Sequence, residues 1–533
     1  MGIRRGECGG AEHGQNHDRE TKCRAADVHG SSMAGAGAGF RRPRGELYSS
    51  RIVRNSRRRI TMIASADATG EPQRLPIVSR RPQMSLQKDN NTRAGAEIDR
   101  RQFLALSGLA LSAAGGVQPA NAGEAGAAAD VPNIDPGYVG PQFFDKREEE
   151  ALLEVLREGS PFRYWGPGRP TKVRQFEEDF ARCMGVPFAL GVTSGTAALD
   201  CAMAALGIGP GDEVIVPAYT WWSDYTCVVH AGALPVFADI DRTLNIDPQD
   251  FARRITPRTK AVIAVHLLGG PCDMDAIMEI ARARKIAVVE DCAQCVGGSY
   301  RGKRLGSIGD IGIYSFQINK MITSGEGGAL VCRDPVLYER AARFHDMGLI
   351  RQLFVERAGS VRERTFAGEN FRMSEFTGAV LGAQLTKLDT MIAHMRRNAQ
   401  AVMDGIRDLP GIRLRRQPDP AGDIGYGVFF EAADRAARDR WIQELRRRKV
   451  PASTLSGSVL LPVEESVINK RTRHPDWPSF SSPEGRAIRY GPECCRQTLE
   501  VFDRFVQVRI GAKYTQRINE YIISAIREVH AMA

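Results

Sequence analysis

The sequence predicts an α/β protein: three layers around a mainly parallel sheet, followed by a smaller α+β C-terminal domain. Short apolar runs at 188–192, 213–217, 235–238, 261–266, 286–290 and 311–316 read as strands, and helix-like or turn-rich stretches separate them. That alternation calls for parallel strands with both faces covered by helices. In such a sheet ligands gather at the carboxyl ends of the strands, and the chemically informative residues of this chain follow the strands.

The elements run in a consistent order. Helical periodicity covers 145–158 and 172–184, ahead of the first strand. Six strand-like runs follow, ending at residue 316. The last helix, 515–530, sets Ile518, Ile522, Ala525, Ile526 and Val529 on one face and is expected to close the small domain. The expected division is a large domain at 137–397 and a small domain at 398–533. Within the latter, 453–504 is punctuated by Pro and Ser and reads mostly as surface loop, with a distinct substrate pocket as the other reading.

Composition excludes several classes. At 533 residues, 43% hydrophobic and 26% charged, the chain has the make-up of a globular protein rather than a disordered one. The net charge of +10 suggests a polyanion binder only until it is divided. Residues 1–101 hold 20 Lys+Arg against 11 Asp+Glu, which leaves 53 against 52 for the rest. The body is close to neutral, so no nucleic-acid partner is expected, and Arg57, Arg58 and Arg59 read as part of a solvated tail.

From Asp99 the chain has the layout of a secretory signal. Arg100-Arg101 precede Phe103-Leu104, an apolar run to about Val117, and the small-residue pattern Ala120-Asn121-Ala122. The arginine pair followed by Gln-Phe-Leu resembles a twin-arginine signal, implying a periplasmic or exported protein, or a cytoplasmic one if the signal is silent. The apolar core is short for a bilayer span, so no membrane anchor is expected. Met84 gives this signal a leader of ordinary length; residues 1–83 therefore read as an upstream start, 84–122 as the signal and 123–136 as a linker.

The eleven cysteines do not form a disulfide pattern: nine fall after Ala122, an odd number at apolar or loop positions. Cys292 and Cys295 have zinc or redox spacing, but no second pair stands at a ligand interval, and no metal site is expected.

Four features at strand ends belong together. After the first strand, Ser194-Gly195-Thr196 opens a helix, which suits either a phosphate cradle or a plain helix cap. After the second, Trp221 stands where it would stack on a planar ring, or pack in a core. The fifth ends in Glu290-Asp291, with Gln294 three residues on, and a buried carboxylate there needs a cationic partner such as a protonated ring nitrogen. The sixth is followed by Ser315 and by Lys320, in GDIGIYSFQINKMITSGEGG. Desolvation lowers an ammonium pKa, and a neutral amine condenses with an aldehyde. Phosphate cradle, ring-stacking aromatic, carboxylate and lysine are the parts of a pyridoxal 5'-phosphate site.

From about Gly137 onward the chain resembles the DegT/StrS-type sugar aminotransferases, a fold-type I pyridoxal phosphate family. The resemblance rests on SGTAAL (194–199), VPAYTW (216–221), GALPVFADID (232–241), NIDP (245–248), VVEDCAQ (288–294), GDIGIYSF (309–316), Lys320, SGEGG (324–328) and GENFRM (368–373). It implies an aspartate-aminotransferase-like large domain and a PLP-dependent transaminase. It also implies Lys320 as the Schiff-base lysine, Asp291 as partner of the ring nitrogen and Gln294 as a ligand on the ring-hydroxyl side. Trp221 becomes the stacking aromatic, and Ser194, Gly195, Thr196 and Ser315 the phosphate ligands. Asn370 matches an asparagine that reaches the phosphate from a second subunit, implying a homodimer with a shared site.

By the same resemblance, glutamate or glutamine is the amino donor and a keto-sugar or keto-cyclitol the acceptor. Relatives with His in place of the lysine act as dehydratases; Lys320 favours amino transfer over a dehydratase or lyase, and over a non-catalytic regulator of the same fold. Gln317-Ile318-Asn319 stands where many relatives have His-Pro-Thr, and Gly269-Gly270 where many have a polar residue after a Gly, so the substrate-facing chemistry is expected to differ. Many relatives use nucleotide sugars, which are cytoplasmic; an exported enzyme needs another keto compound.

Overall fold

The computed structural model describes residues 131–164 and 171–532. The export signal, the Met84 start and most of the linker lie outside the described residues. Among the described residues no helix is long and apolar enough to cross a membrane.

The core is a seven-stranded sheet: β1 (Phe188–Val192), β2 (Glu213–Pro217), β3 (Leu234–Ala238), β4 (Thr259–Val265), β5 (Ala287–Asp291), β6 (Ile311–Ser315) and β7 (Gly328–Cys332), in the order β1-β7-β6-β5-β4-β2-β3. From β6 to β3 neighbouring strands are parallel, while β7 runs antiparallel to both β6 and β1. Six strands match the sequence reading to within two residues at either end. The seventh was not anticipated: it follows directly on the SGEGG turn, which reads as a loop, and only its pairing with Val192 and Ser315 through Gly328 makes it a strand.

Helices cover both faces. Alternate strand residues point to opposite sides, so Leu190, Ile263 and Ile313 join one apolar cluster with α3 (Gly195–Leu206) and α4 (Trp222–His230). Ala189, Val262 and Tyr314 join the other, with α2 (Lys172–Met184) and α6 (Met274–Arg284). The remaining helices of this region are α1 (Lys146–Glu158), α5 (Pro248–Arg254), α7 (Pro335–Phe344) and α8 (Glu375–Leu385). Asp145 starts α1 with a reciprocal cap: its carboxylate accepts the Arg147 amide, and Glu148 accepts the Asp145 amide.

The long helix α9 (Leu388–Ile406) joins two cores: Leu388, Met391 and Met395 pack under the large sheet, and Val402 and Ile406 under a smaller one. That second sheet is antiparallel, β8 (Arg413–Leu414), β9 (Gly427–Glu431), β10 (Ala452–Ser453) and β11 (Phe505–Arg509), ordered β8-β9-β11-β10. Helices α10 (Arg435–Arg447) and α11 (Gln516–Ala531) cover it, with Trp441, Leu445, Ile522 and Ile526 buried. The surface-loop reading of 453–504 gives way in part. Leu461, Val467, Phe480, Tyr490 and Cys495 are buried in the cluster of the large sheet, and Trp477 Nε1 donates to the Val229 carbonyl. These apolar residues lie too far apart in sequence to show a period, and scattered hydrophobes between prolines resemble loop.

Candidate active site

Three strand ends build the site. At the end of β1 the chain turns through Thr193 into α3, and Ser194 Oγ accepts the Ala197 amide at 3.1 Å. The cap reading is therefore correct, and it leaves the phosphate reading intact. A capping hydroxyl uses a lone pair and keeps its proton to donate, while the first N–H groups of α3, on Gly195 and Thr196, have no intrahelical acceptor. Backbone approach here is close: a Cβ on Gly195 would lie 2.8 Å from Ser315 Cβ, and one on Gly328 would lie 2.2 Å from the Ser194 carbonyl oxygen. Glycine at both positions lets β6, β7 and the start of α3 converge on one point. Thr196 Oγ1 lies 2.6 Å from Ser223 Oγ, which ties α3 to α4.

Lys320 sits in a loop that knits itself together between β6 and β7. Phe316 donates to the Gly327 carbonyl at 2.8 Å, Ile318 to that of Gly325 at 3.0 Å, and Lys320 N to that of Gln317 at 2.9 Å. Thr323 Oγ1 donates to the Phe316 carbonyl at 2.8 Å. Phe316 is fully buried against Phe176 and Phe180, at 5.6 Å between ring centroids in each case, and so anchors the loop to the core. Among the described residues, Lys320 Nζ takes part in no hydrogen bond and no ion pair. Burial pushes its pKa down, against the opposing pull of Asp291 and then Asp224. Desolvation favours the neutral form of the amine, which is the nucleophile that carbonyl chemistry requires.

Glu290 and Asp291 close β5 on opposite faces of the sheet. Glu290 is fully enclosed, accepting the amides of Gly306, Ile308 and Gly309 at 2.6–2.8 Å and contacting His266 Nε2 at 3.1 Å. His266 Nδ1 accepts the Cys272 amide at 3.0 Å, which places the ring proton on Nε2, toward Glu290. His266, Glu290 and Cys292 lie close enough to share an ion, yet these hydrogen bonds already satisfy the imidazole and the carboxylate. Asp291, 5% exposed, accepts the Ala293 amide at 2.7 Å and has the Asp224 carboxyl as an electrostatic neighbour. Burial pushes its pKa up.

The other sequence-assigned residues are placed as follows. Gln294 accepts the Leu268 amide at 3.0 Å and donates to the Gly457 carbonyl at 2.9 Å and Ser458 Oγ at 3.1 Å. Ser315 Oγ accepts the Gln317 amide. Trp221, at the start of α4, is 52% exposed. Asn370 is exposed, bridged to Asp346, and its neighbour Phe371 accepts the Thr193 amide at 3.1 Å beside the α3 entrance. Two residues escaped the sequence reading: Asp224 and the Thr220 hydroxyl that donates to it at 2.5 Å. The available signal was a carboxylate inside the otherwise uncharged run Ala218–229, which reads as a helix face.

The profile of the DegT/DnrJ/EryC1/StrS aminotransferase family matches residues 144–465, more than half of the chain. The chain belongs to this family. Its members are pyridoxal phosphate-dependent enzymes, and this DegT/DnrJ/EryC1/StrS protein is an aminotransferase. It is 39% identical to the GDP-perosamine synthase of Escherichia coli O157:H7, over 68% of this chain and 96% of that one. It is 40% identical to the L-glutamine:2-deoxy-scyllo-inosose aminotransferase of Streptomyces lividus, over 48% and 62%. Among solved structures, an aminotransferase from Psychrobacter cryohalolentis superposes with a TM-score of 0.62 at 29% identity, covering 73% of this chain and 98% of that one. S. venezuelae DesV, solved in complex with a ketimine intermediate, gives 0.60 at 29% identity, over 72% and 94%.

The side chains present suit the family's cofactor. The cradle beside Ser315 admits no Cβ at Gly195 or Gly328, the amine of Lys320 is half-buried and unpaired among the described residues, and one oxygen of Asp224 beside Asp291 has no hydrogen-bond partner among them. Phosphate, aldehyde and ring nitrogen each have a chemically matched counterpart.

Proposed function

We propose that this enzyme moves an amino group from glutamate or glutamine to a keto-sugar or keto-cyclitol, with pyridoxal 5'-phosphate held by the residues described above. The observation that carries the reading is Lys320: a half-buried amine, unpaired among the described residues, whose main electrostatic partners are Asp291 and Asp224. The relatives named for perosamine and inosose amination support the acceptor class, and the glutamine-dependent one supports the donor.

In this reading Ser194, Thr196 and Ser315 donate hydroxyl protons to the phosphate, joined by the free amides at the start of α3. Trp221 supplies a ring face. Gln294 lies beside Asp291, steadied by Leu268 and Gly457. Pyridoxal phosphate contributes a reactive aldehyde and a ring able to accept a carbanion's electron pair. Lys320 would hold the cofactor through its aldehyde, and its amine, when free, would be placed to move a proton at the substrate carbon. Asp291 retains its negative charge against a ring N–H and so keeps that proton in place.

Further parts of the reading rest on sequence. Asn370 is offered to a second subunit across a homodimer. Arg100-Arg101 and the apolar run after them support twin-arginine export, which a reporter fusion tests: loss of export on changing both arginines to lysine supports the signal, and unchanged export refutes it.

The test of amino transfer is a half-reaction. Cofactor-loaded protein mixed with L-glutamate or L-glutamine is expected to lose the cofactor's aldehyde-derived absorbance and gain that of the aminated form, and Lys320→Ala to abolish the change. Persistence of the change in Lys320→Ala would refute the assignment.

A further inference from the structure

The α4 carboxylate Asp224 is fully buried, and its two oxygens have different surroundings. Oδ2 accepts the Thr220 hydroxyl at 2.5 Å. Oδ1 is buried with no hydrogen-bond partner among the described residues, and the carboxyl stands against that of Asp291, with which it interacts electrostatically. Asp291 is itself fixed by the Ala293 amide. Two ionised carboxylates have no proton to share and repel each other where water cannot screen them. Lys320 offsets this repulsion only in part: it acts on both carboxylates at a distance, but its Nζ forms no ion pair with either among the described residues.

One protonation pattern satisfies every atom: a proton on Asp224 Oδ1 donated to Asp291, while Oδ2 accepts from Thr220. We propose that Asp224 is a positioning residue, a neutral carboxyl that donates to Asp291 and fixes the carboxylate against which the cofactor ring nitrogen rests. The groups facing the pair pull both ways and burial prevails: burial raises the Asp224 pKa well above the usual carboxylate range and Asp291 raises it further, while Thr220 and then Lys320 pull it down, and His266 acts on Asp291. Asp291 then keeps its charge, and with one lone pair taken by Ala293 and one by Asp224 it retains acceptor capacity for the ring N–H. The neutral donor also makes Asp291 a weaker base, so the ring nitrogen holds its proton against a partner tuned from behind.

This inference rests on the reading of Asp291 as ring partner, and two measurements separate them. The first needs no cofactor: in cofactor-free protein, the infrared difference between wild type and Asp224→Asn should show one lost band of a protonated, hydrogen-bonded carboxyl. If the difference instead shows a lost carboxylate, Asp224 is ionised and the proposal is overturned, whatever Asp291 does.

The second is pyridoxal phosphate affinity. An amide reproduces a neutral acid, donating from Nδ2 to Asp291 and accepting Thr220 at Oδ1, so Asp224→Asn should bind within about threefold of wild type. Asp224→Leu removes a hydrogen bond to a charged group, worth about 1.5–3 kcal/mol, and should weaken binding by about tenfold or more. Asparagine as damaging as leucine, or leucine as good as wild type, overturns the proposal. If Asp291→Ala leaves affinity unchanged while the infrared band behaves as expected, the ring-partner reading fails and the neutral carboxyl stands.

Discussion

Glu290 and Asp291 are adjacent in sequence and face opposite sides of the sheet: Glu290 is closed in by three backbone amides and His266, whereas Asp291 opens toward Asp224 and Lys320. The first is bound into the fold, and the second is the carboxylate proposed to meet the cofactor. Burial is opposed in the first case by four hydrogen-bond partners that bring the Glu290 pKa below the ordinary value, and prevails in the second.

Their substitutions should therefore separate stability from binding. Glu290→Ala strands three buried amides and is expected to remove about 3–5 kcal/mol of folding stability. Asp291→Ala should leave the melting temperature of cofactor-free protein within a few degrees and abolish tight cofactor binding. Denaturant unfolding and a cofactor titration of both variants check this.

The glycines at the cradle differ in what they abut. Alanine at Gly195 meets the Ser315 Cβ at 2.8 Å, which no rotamer change removes, whereas alanine at Gly328 meets the Ser194 carbonyl oxygen at 2.2 Å, a closer clash with backbone. Gly195→Ala is expected to cost about 1–3 kcal/mol in the packed cradle, and Gly328→Ala more. Thermal melts rank the two, and weaker phosphate binding by Gly195→Ala is the accompanying result.

His345 gives the fold an acid-sensitive point. It is fully buried, contacts Tyr164 at 3.2 Å through Nε2, and burial with Arg163 nearby holds its pKa down at about 3, against 6.5 ordinarily. Between those values the unfolded chain takes up the proton and the native one does not, so stability is full above about pH 6.5 and falls as pH drops toward 3. The slope from this one group is about 1.4 kcal/mol per pH unit. His345→Gln should flatten the wild-type dependence by that amount over this window, as read by urea unfolding at stepped pH.

What the sequence disclosed follows from how local each signal is. The parallel strands and the residues at their ends were legible because each apolar run stops at a turn carrying an unusual polar residue, as Ser194, Asp291 and Lys320 do. Strand β7 was hidden because its pairing with β1 and β6 is long-range and its start is a glycine turn. Asp224 was hidden for a different reason. On a helix a single acidic residue reads as the solvent face, and only the approach of β5 to α4 turns it into a buried partner of Asp291. The core residues of 453–504, such as Phe480 and Tyr490, carry no period because each docks separately onto α4 and β3 through contacts such as Tyr490 to the Pro235 carbonyl.

Reductive trapping tests the central claim most directly. The protein is incubated with pyridoxal 5'-phosphate, reduced with borohydride, digested and mapped by mass spectrometry. The modification is expected on Lys320 alone, since among the described residues no other lysine combines partial burial with the company of Asp291. A label spread over surface lysines with Lys320 unmodified contradicts the account.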